Sequence, residues 1–240
     1  ESKPEDVLKL MQEYGISARL TFSNSLLSQE HLNDKKCNEL CSMFASNANV
    51  KNGIIIYSDL LLEYIKKNYP EYYFVSSTTK VITDFLQCVK EIEREDFSYV
   101  VPDFRLNKAL EQWQTLSQEQ KNKVEFLCNE CCYIGCVDRK ACYEAVSRKS
   151  LGIDGREHQC KAVNAAEGYR FSKVMKSPAF IGISDIQHVY LPMGFSQFKI
   201  EGRGLGSALI LEFLLYYMTK PEYQLQVREA IYLDNMLDLF

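Results

Sequence analysis

Apolar positions along this chain change period several times, and each change marks an element. Over residues 4–14 the apolar Val7, Leu8, Leu10 and Met11 recur at helical spacing and Gly15 stops the run, so a helix is expected there. Residues 16–23 read as a strand ending at Asn24. Ser28 is placed to cap a helical segment that carries Leu32, Cys37, Leu40, Cys41 and Phe44. The wholly apolar run at 53–57 is the kind of strand a parallel sheet buries on both faces, and Ser58-Asp59 opens a helix over 60–67. The alternation repeats with strands at 72–75 and 99–101 and helices at 81–92 and 106–116, with Ser117 capping a further turn. Residues 123–127 then lead into a loop rich in cysteine. A charged, helix-like run follows to Tyr143, and the polar, glycine-containing stretch beyond it reads as an irregular excursion to 178. A strand at 180–183, a short helix from Ser184 to Leu191, a strand within 194–202 and helices at 206–218 and 222–236 complete the expectation.

Strand–helix units in series imply an all-parallel sheet. No glycine-rich phosphate loop follows the first strand, so a dinucleotide-binding fold lacks its signature. The strand ends carry polar tips, at the end of a parallel barrel where active sites are built. Of these, Ser58, Asp59 and Thr83 read as helix caps, whereas Asn24, Asn129, Glu201 and Arg203 are candidate catalytic residues. Lys199, Glu201 and Arg203 alternate on a strand and so share a face, either as a mutually paired charge cluster or as contacts to an anion. The expected fold is α/β, a TIM-like (β/α) barrel. It is expected to be incomplete at its N-terminus, because the chain begins at Glu1 rather than Met. Residues 1–240 read as one domain, with 128–178 a metal-binding excursion inside it.

Composition alters this picture only at the cysteines. Hydrophobic content of 46% and charged content of 25% are ordinary for a globular domain, and a net charge of −4 offers no global attraction to nucleic acid. A local basic groove is still compatible with an RNA substrate. No apolar run has the length of a membrane span and no signal peptide stands out, so a cytoplasmic protein without a membrane role is expected. There are nine cysteines, and Cys128, Cys131, Cys132, Cys136, Cys142 and Cys160 crowd one region. In a reducing compartment such clustering favours metal or iron–sulfur ligation over disulfides. Cys88 reads as a small core residue. Zinc competes with iron: Cys128 and Cys131 give one close pair, but no clean second pair follows. The three histidines, His31, His158 and His188, form no zinc-protease helix motif, and no Ser–His–Asp constellation is evident.

Two stretches carry a resemblance. Lys199-Ile-Glu-Gly-Arg203 resembles a signature late in the barrel of the collagenase-like peptidases, the U-thirty-two group. The pattern Asn129-Glu-x-Cys132-x-x-x-Cys136-x-x-Arg139-x-x-x-Tyr143 resembles a cysteine motif in a poorly described branch of that group. Arg19 to Asn24, Glu30 to Asp34, Cys37-Asn38 and Ser76 to Lys80 are similar to that branch as well, so the likeness runs in order through most of 16–240. The resemblance implies a TIM-like barrel with a 4Fe–4S cluster held by four cysteines. It also implies a relation to enzymes that hydroxylate RNA bases or the ubiquinone ring. The ligands expected are Cys132, Cys136, Cys160 and Cys37, with Cys131 or Cys142 as substitutes for the last. The expected function is an iron–sulfur enzyme modifying an RNA, peptide or small aromatic substrate. A non-catalytic binding protein with a structural iron–sulfur or zinc site is the alternative, and a peptidase a weaker one. Paired relatives in the group make a homo- or hetero-oligomer an expectation too.

Overall fold

The computed structural model describes residues 3–45, 50–155, 158–162, 165, 168–202 and 205–237. Helix α1 (Pro4–Glu13) precedes strand β1 (Arg19–Phe22), α2 (Lys35–Ala45) and β2 (Gly53–Ile56). Then come α3 (Asp59–Asn68), β3 (Tyr73–Ser76), α4 (Phe85–Glu93) and β4 (Phe97–Val100). Two short helices, α5 (Leu110–Gln114) and α6 (Gln118–Lys123), lead to β5 (Glu125–Leu127). Beyond the cysteine loop lie α7 (Arg139–Ser150), α8 (Phe171–Val174) and α9 (Ile183–Asp185), which runs into a π-helical turn. Strand β6 (Gln197–Lys199) and helices α10 (Ser207–Met218) and α11 (Gln224–Leu237) follow.

Every strand pairing is parallel: β1 to β2, β2 to β3, β3 to β4 and β5 to β6, with a bridge between Val100 and Val124 joining the two groups. Side chains alternate across the sheet with period two. Ile54, Ile56, Phe74, Val100 and Phe126 pack outward into the main core with Leu62, Ile65, Ile92 and Trp113 from the helices. Ile55, Val75, Val101 and Leu127 form a second cluster on the other face, flanked by Tyr73 and Tyr99. Burial on both faces is why these strands read as unbroken apolar runs.

The sheet is strongly curled. On its inner face Arg19 of β1 reaches Glu125 of β5, N to O 2.5 Å. In a flat sheet four strand steps would hold those strands roughly 19 Å apart, beyond the joint reach of the two side chains. The same guanidinium donates to the Tyr73 hydroxyl at 2.9 Å and lies over the Tyr99 ring at 4.9 Å. Among the described residues no pairing joins β1 to β6, so the parallel α/β sheet is curved rather than shown as a closed barrel.

Several expectations change. Lys199, Glu201 and Arg203 do not share a strand, since β6 ends at Lys199 and Arg203 lies outside the described residues, and the helix expected from 106 begins at Leu110 after a 3-10 turn. The helix expected over 81–92 begins at Phe85, because Val81 turns into the left-handed region (φ 54°) and the cap is Asp84, which accepts from the Gln87 amide at 2.9 Å, not Thr83. The excursion beyond Tyr143 is not wholly irregular, since α7 continues to Ser150. Residues 180–183 are not a strand; only the Ile181 amide bonds toward β5, to the Cys128 carbonyl at 3.0 Å.

Candidate functional site

The strand ends at the C-terminal edge of the sheet meet around Arg139, the first residue of α7, which is 2% exposed. A charge so buried needs partners. Glu130, just past β5, receives a hydrogen bond from Nη2, and Asp103, past β4, stands 3.5 Å from Nε. The guanidinium lies 4.8 Å from the Phe104 ring centroid and 5.0 Å from that of Tyr143. Arg139 Nη1 and Nε have no hydrogen-bond acceptor. Burial opposes its charge, but Glu130 outweighs that and holds its pKa above the ordinary value. Asp103 also takes Arg105, from Nε at 2.6 Å and Nη2 at 2.9 Å.

This network grips the cysteine loop by its backbone. Glu130 accepts from the Cys132 amide at 2.9 Å, Glu201 from the Cys131 amide at 3.2 Å, and Arg105 donates to the Cys136 carbonyl at 2.8 Å. Asn129, fully buried, ties β5 to the chain beyond β6. Its Oδ1 accepts from the Glu201 amide at 2.8 Å, and its Nδ2 donates to the Glu201 carbonyl at 3.0 Å and the Tyr169 hydroxyl at 3.1 Å. The side chain of Asn129 therefore acts as a brace that delivers Glu201.

Glu130, Cys131 and Glu201 each bring one ligand atom within 4.8 Å of the others. The two carboxyls differ. Burial opposes ionisation of Glu130, but Arg139 and the Cys132 amide overcome it and hold the group below the usual carboxylate range. Glu201 is pushed up to about 7 by burial and by the charge of Glu130, with the Cys131 amide and Arg139 opposing.

All nine cysteines are free. Cys41, Cys88 and Cys128 are buried in the core. On α7 the Cys142 thiol is pushed up by burial and then by Cys132, Cys160 and Cys136, with Arg139 opposing. Cys37 lies elsewhere, at the start of α2, where burial and a hydrogen bond to Asp34 push it up to about 11. Asn24 is also elsewhere: it donates to the Ser147 carbonyl at 3.0 Å and the Ser150 hydroxyl at 2.7 Å, anchoring α7 to the end of β1. Arg203 lies outside the described residues. Beside the cysteine loop a cleft of about 240 Å³ is lined by Glu130, Cys131 and Cys132 on one side and by Arg170, Lys173 and Lys176 on the other.

Among solved structures the chain is similar to that described as "The Structure of the U32 Peptidase Mk0906", with a TM-score of 0.51, 15% identity, and coverage of 83% of this chain and 75% of that one. The chain shares its fold with a U32 peptidase. An identity of 15% carries the fold and not the chemistry. No family model and no curated protein matches the chain. Within this U32-like fold, the residues that sequence reasoning underweighted are Glu130, Arg139 and Cys142. A signal existed for two of them: Arg139, Cys142 and Tyr143 sit at helical offsets of three and four, one face of α7.

Proposed function

We propose that this chain is an iron–sulfur enzyme whose cluster is held by Cys132, Cys136, Cys142 and Cys160, and that it modifies an anionic substrate, an RNA in the first instance. The observation that supports the ligand set is that the Cys142 thiol feels Cys132, Cys160 and Cys136, and burial together with these sulfurs drives it toward its neutral form, a penalty that a metal centre would relieve. The donor set fits either iron or zinc. Tetrahedral zinc would draw its sulfurs to about 3.8 Å from one another. Among the described residues, the group closed to within 4.8 Å is Glu130, Cys131 and Glu201, and the four thiols stand wider. The choice of a 4Fe–4S cluster over zinc rests on the resemblance of the cysteine motif to the U-thirty-two group.

A bound cluster would supply electron transfer, or a Lewis-acidic iron if one corner were open. The chain's own residues do the rest. Arg170, Lys173 and Lys176 face the cleft and bind an anion. Glu201, with a pKa near neutrality, can hold or release a proton there. Asp103, Glu130 and Arg105 hold the loop still. Hydroxylation of a base or aromatic ring is the reaction class we assign; it replaces C–H by C–OH, so a separate oxygen-atom donor has to supply the oxygen and accept the two electrons withdrawn from the ring.

A second reading is a binding protein with a structural metal. It is favoured by the commitment of Asp103 and Glu130 to Arg105 and Arg139, which leaves Glu201 as the proton carrier of the cluster. The name of the structural neighbour keeps a peptidase as a weaker reading. Anaerobic purification with iron and acid-labile sulfide analysis tests the proposal. About four of each per chain are expected, with broad absorbance near 400 nm. Cys142→Ala is expected to lose most of this and Cys37→Ala to keep it. Loss in Cys37→Ala with retention in Cys142→Ala refutes the ligand set, and stoichiometric zinc in the parent refutes the cluster.

A further inference from the structure

We propose that the cavity between β1, α2, α3 and α7 is a second binding site, for a single mostly apolar aromatic molecule that is neutral or cationic. Its volume is about 620 Å³, within the range of about 300–1,000 Å³ that holds one small ligand. It is separate from the basic cleft beside the cysteine loop, with which it shares no lining residue.

The lining sets the ligand's chemistry. Phe22, Leu27, Ile65 and Leu151 give an apolar body, and Tyr64 and Tyr143 offer ring faces for stacking. Thr21 Oγ1, behind the wall, is buried without a hydrogen bond among the described residues and is closed off from the cavity, so it selects no ligand group. The neighbouring polar groups are already spent, since Asn24 is bound to Ser147 and Ser150, and Ser147 Oγ accepts from the Ser25 amide at 3.1 Å. These bonds fix α7 against β1 and make the wall preformed.

Charge narrows the class further. The described lining includes Glu30 and Asp34 but neither lysine nor arginine, the reverse of the cleft with Arg170, Lys173 and Lys176. A phosphate or carboxylate would meet like charge, whereas a neutral or cationic ring would not. The proposal rests on this geometry and does not require the cluster.

The test is fluorescence titration of the anaerobically purified full chain with N-phenyl-1-naphthylamine, a neutral ring amine, and with its anionic relative 1-anilinonaphthalene-8-sulfonate. Saturable binding of the neutral dye at one per chain is expected, with the sulfonate at least about ten-fold weaker. Val146→Trp, on the exposed edge of the cavity, is expected to weaken the neutral dye by at least about ten-fold, with unchanged far-ultraviolet circular dichroism and iron content. Asn33→Trp, at another exposed point of the lining, provides the same block if the first variant does not fold. Thr21→Val, which keeps the shape and removes the unpaired hydroxyl behind the wall, is expected to leave binding unchanged and to raise the melting temperature of the free chain. Non-saturable uptake, equal affinity for the sulfonate, or undiminished binding in a folded Trp variant overturns the proposal. Iron content reports separately on the cluster.

Discussion

Glu130 and Glu201 face one another across Cys131, and Glu130 is the one that Arg139 hydrogen-bonds directly among the described residues. That asymmetry fixes a pH dependence. Glu201 is held near pKa 7 by burial and by the charge of Glu130, above the ordinary carboxyl value. Between its unfolded and folded pKa values the folded state therefore binds more protons than the unfolded one. Stability falls as pH rises through that window and levels off above about 7. Glu201→Gln stays neutral throughout and retains an acceptor for the Cys131 amide. Urea unfolding near pH 4.5 should find parent and variant alike, and near pH 8 the variant more stable by on the order of 1–3 kcal/mol. Parallel stability curves at the two pH values would show that Glu201 titrates normally.

At the scale of elements, β2 shows how tightly one strand fits its neighbour. A Cβ built on Gly53 would lie 2.5 Å from the Tyr73 ring, which in turn is held by Arg19 and by the Ser17 hydroxyl. Gly53→Ala must push that ring off its partners, and chemical denaturation should register a loss of about 1–3 kcal/mol, as for other overpacked sites; an unchanged midpoint would mean that the ring is free to move. Strands such as β2 and β3 were legible in the sequence because burial on both faces leaves an unbroken apolar run. Helix α7 was legible only as a charged run to Tyr143, and the reason is physical: the residues it buries are Arg139 and Ser147, so its inward face carries no apolar stripe to mark where it ends. Cys142 was visible in the cysteine cluster but ranked behind Cys37 as a ligand, because the run gave no sign of which way its face turned. Residues 180–183 misled in the opposite way. Ile181 is fully buried, yet only its amide bonds to the end of β5, so an apolar run packs without becoming a strand. The pairing of Arg139 with Glu130 and Asp103 joins three separate strand-end and helix segments, which no local pattern could reveal.

For the molecule as a whole, the curl of the sheet turns on one contact between strands distant in the sheet. Arg19 and Glu125 meet on the concave face, the Glu125 side chain 7% exposed and its Oε2 without a hydrogen bond. Removing one partner leaves the other charge largely buried, so Arg19→Met and Glu125→Gln should each destabilise, the first by about 3–5 kcal/mol. Either loss alone would not prove the curl, because Arg19 also binds Tyr73 and lies over Tyr99. The double variant isolates the pair. If the two strands face one another as described, the losses are non-additive, with a coupling energy of at least about 1 kcal/mol in a denaturant cycle. In a flat sheet the two residues would be too far apart to communicate, and the losses would add. Additivity would therefore remove the curved sheet, and with it the convergence of the ends of β4, β5 and β6 on Arg139 and Glu201 that the proposed chemistry needs.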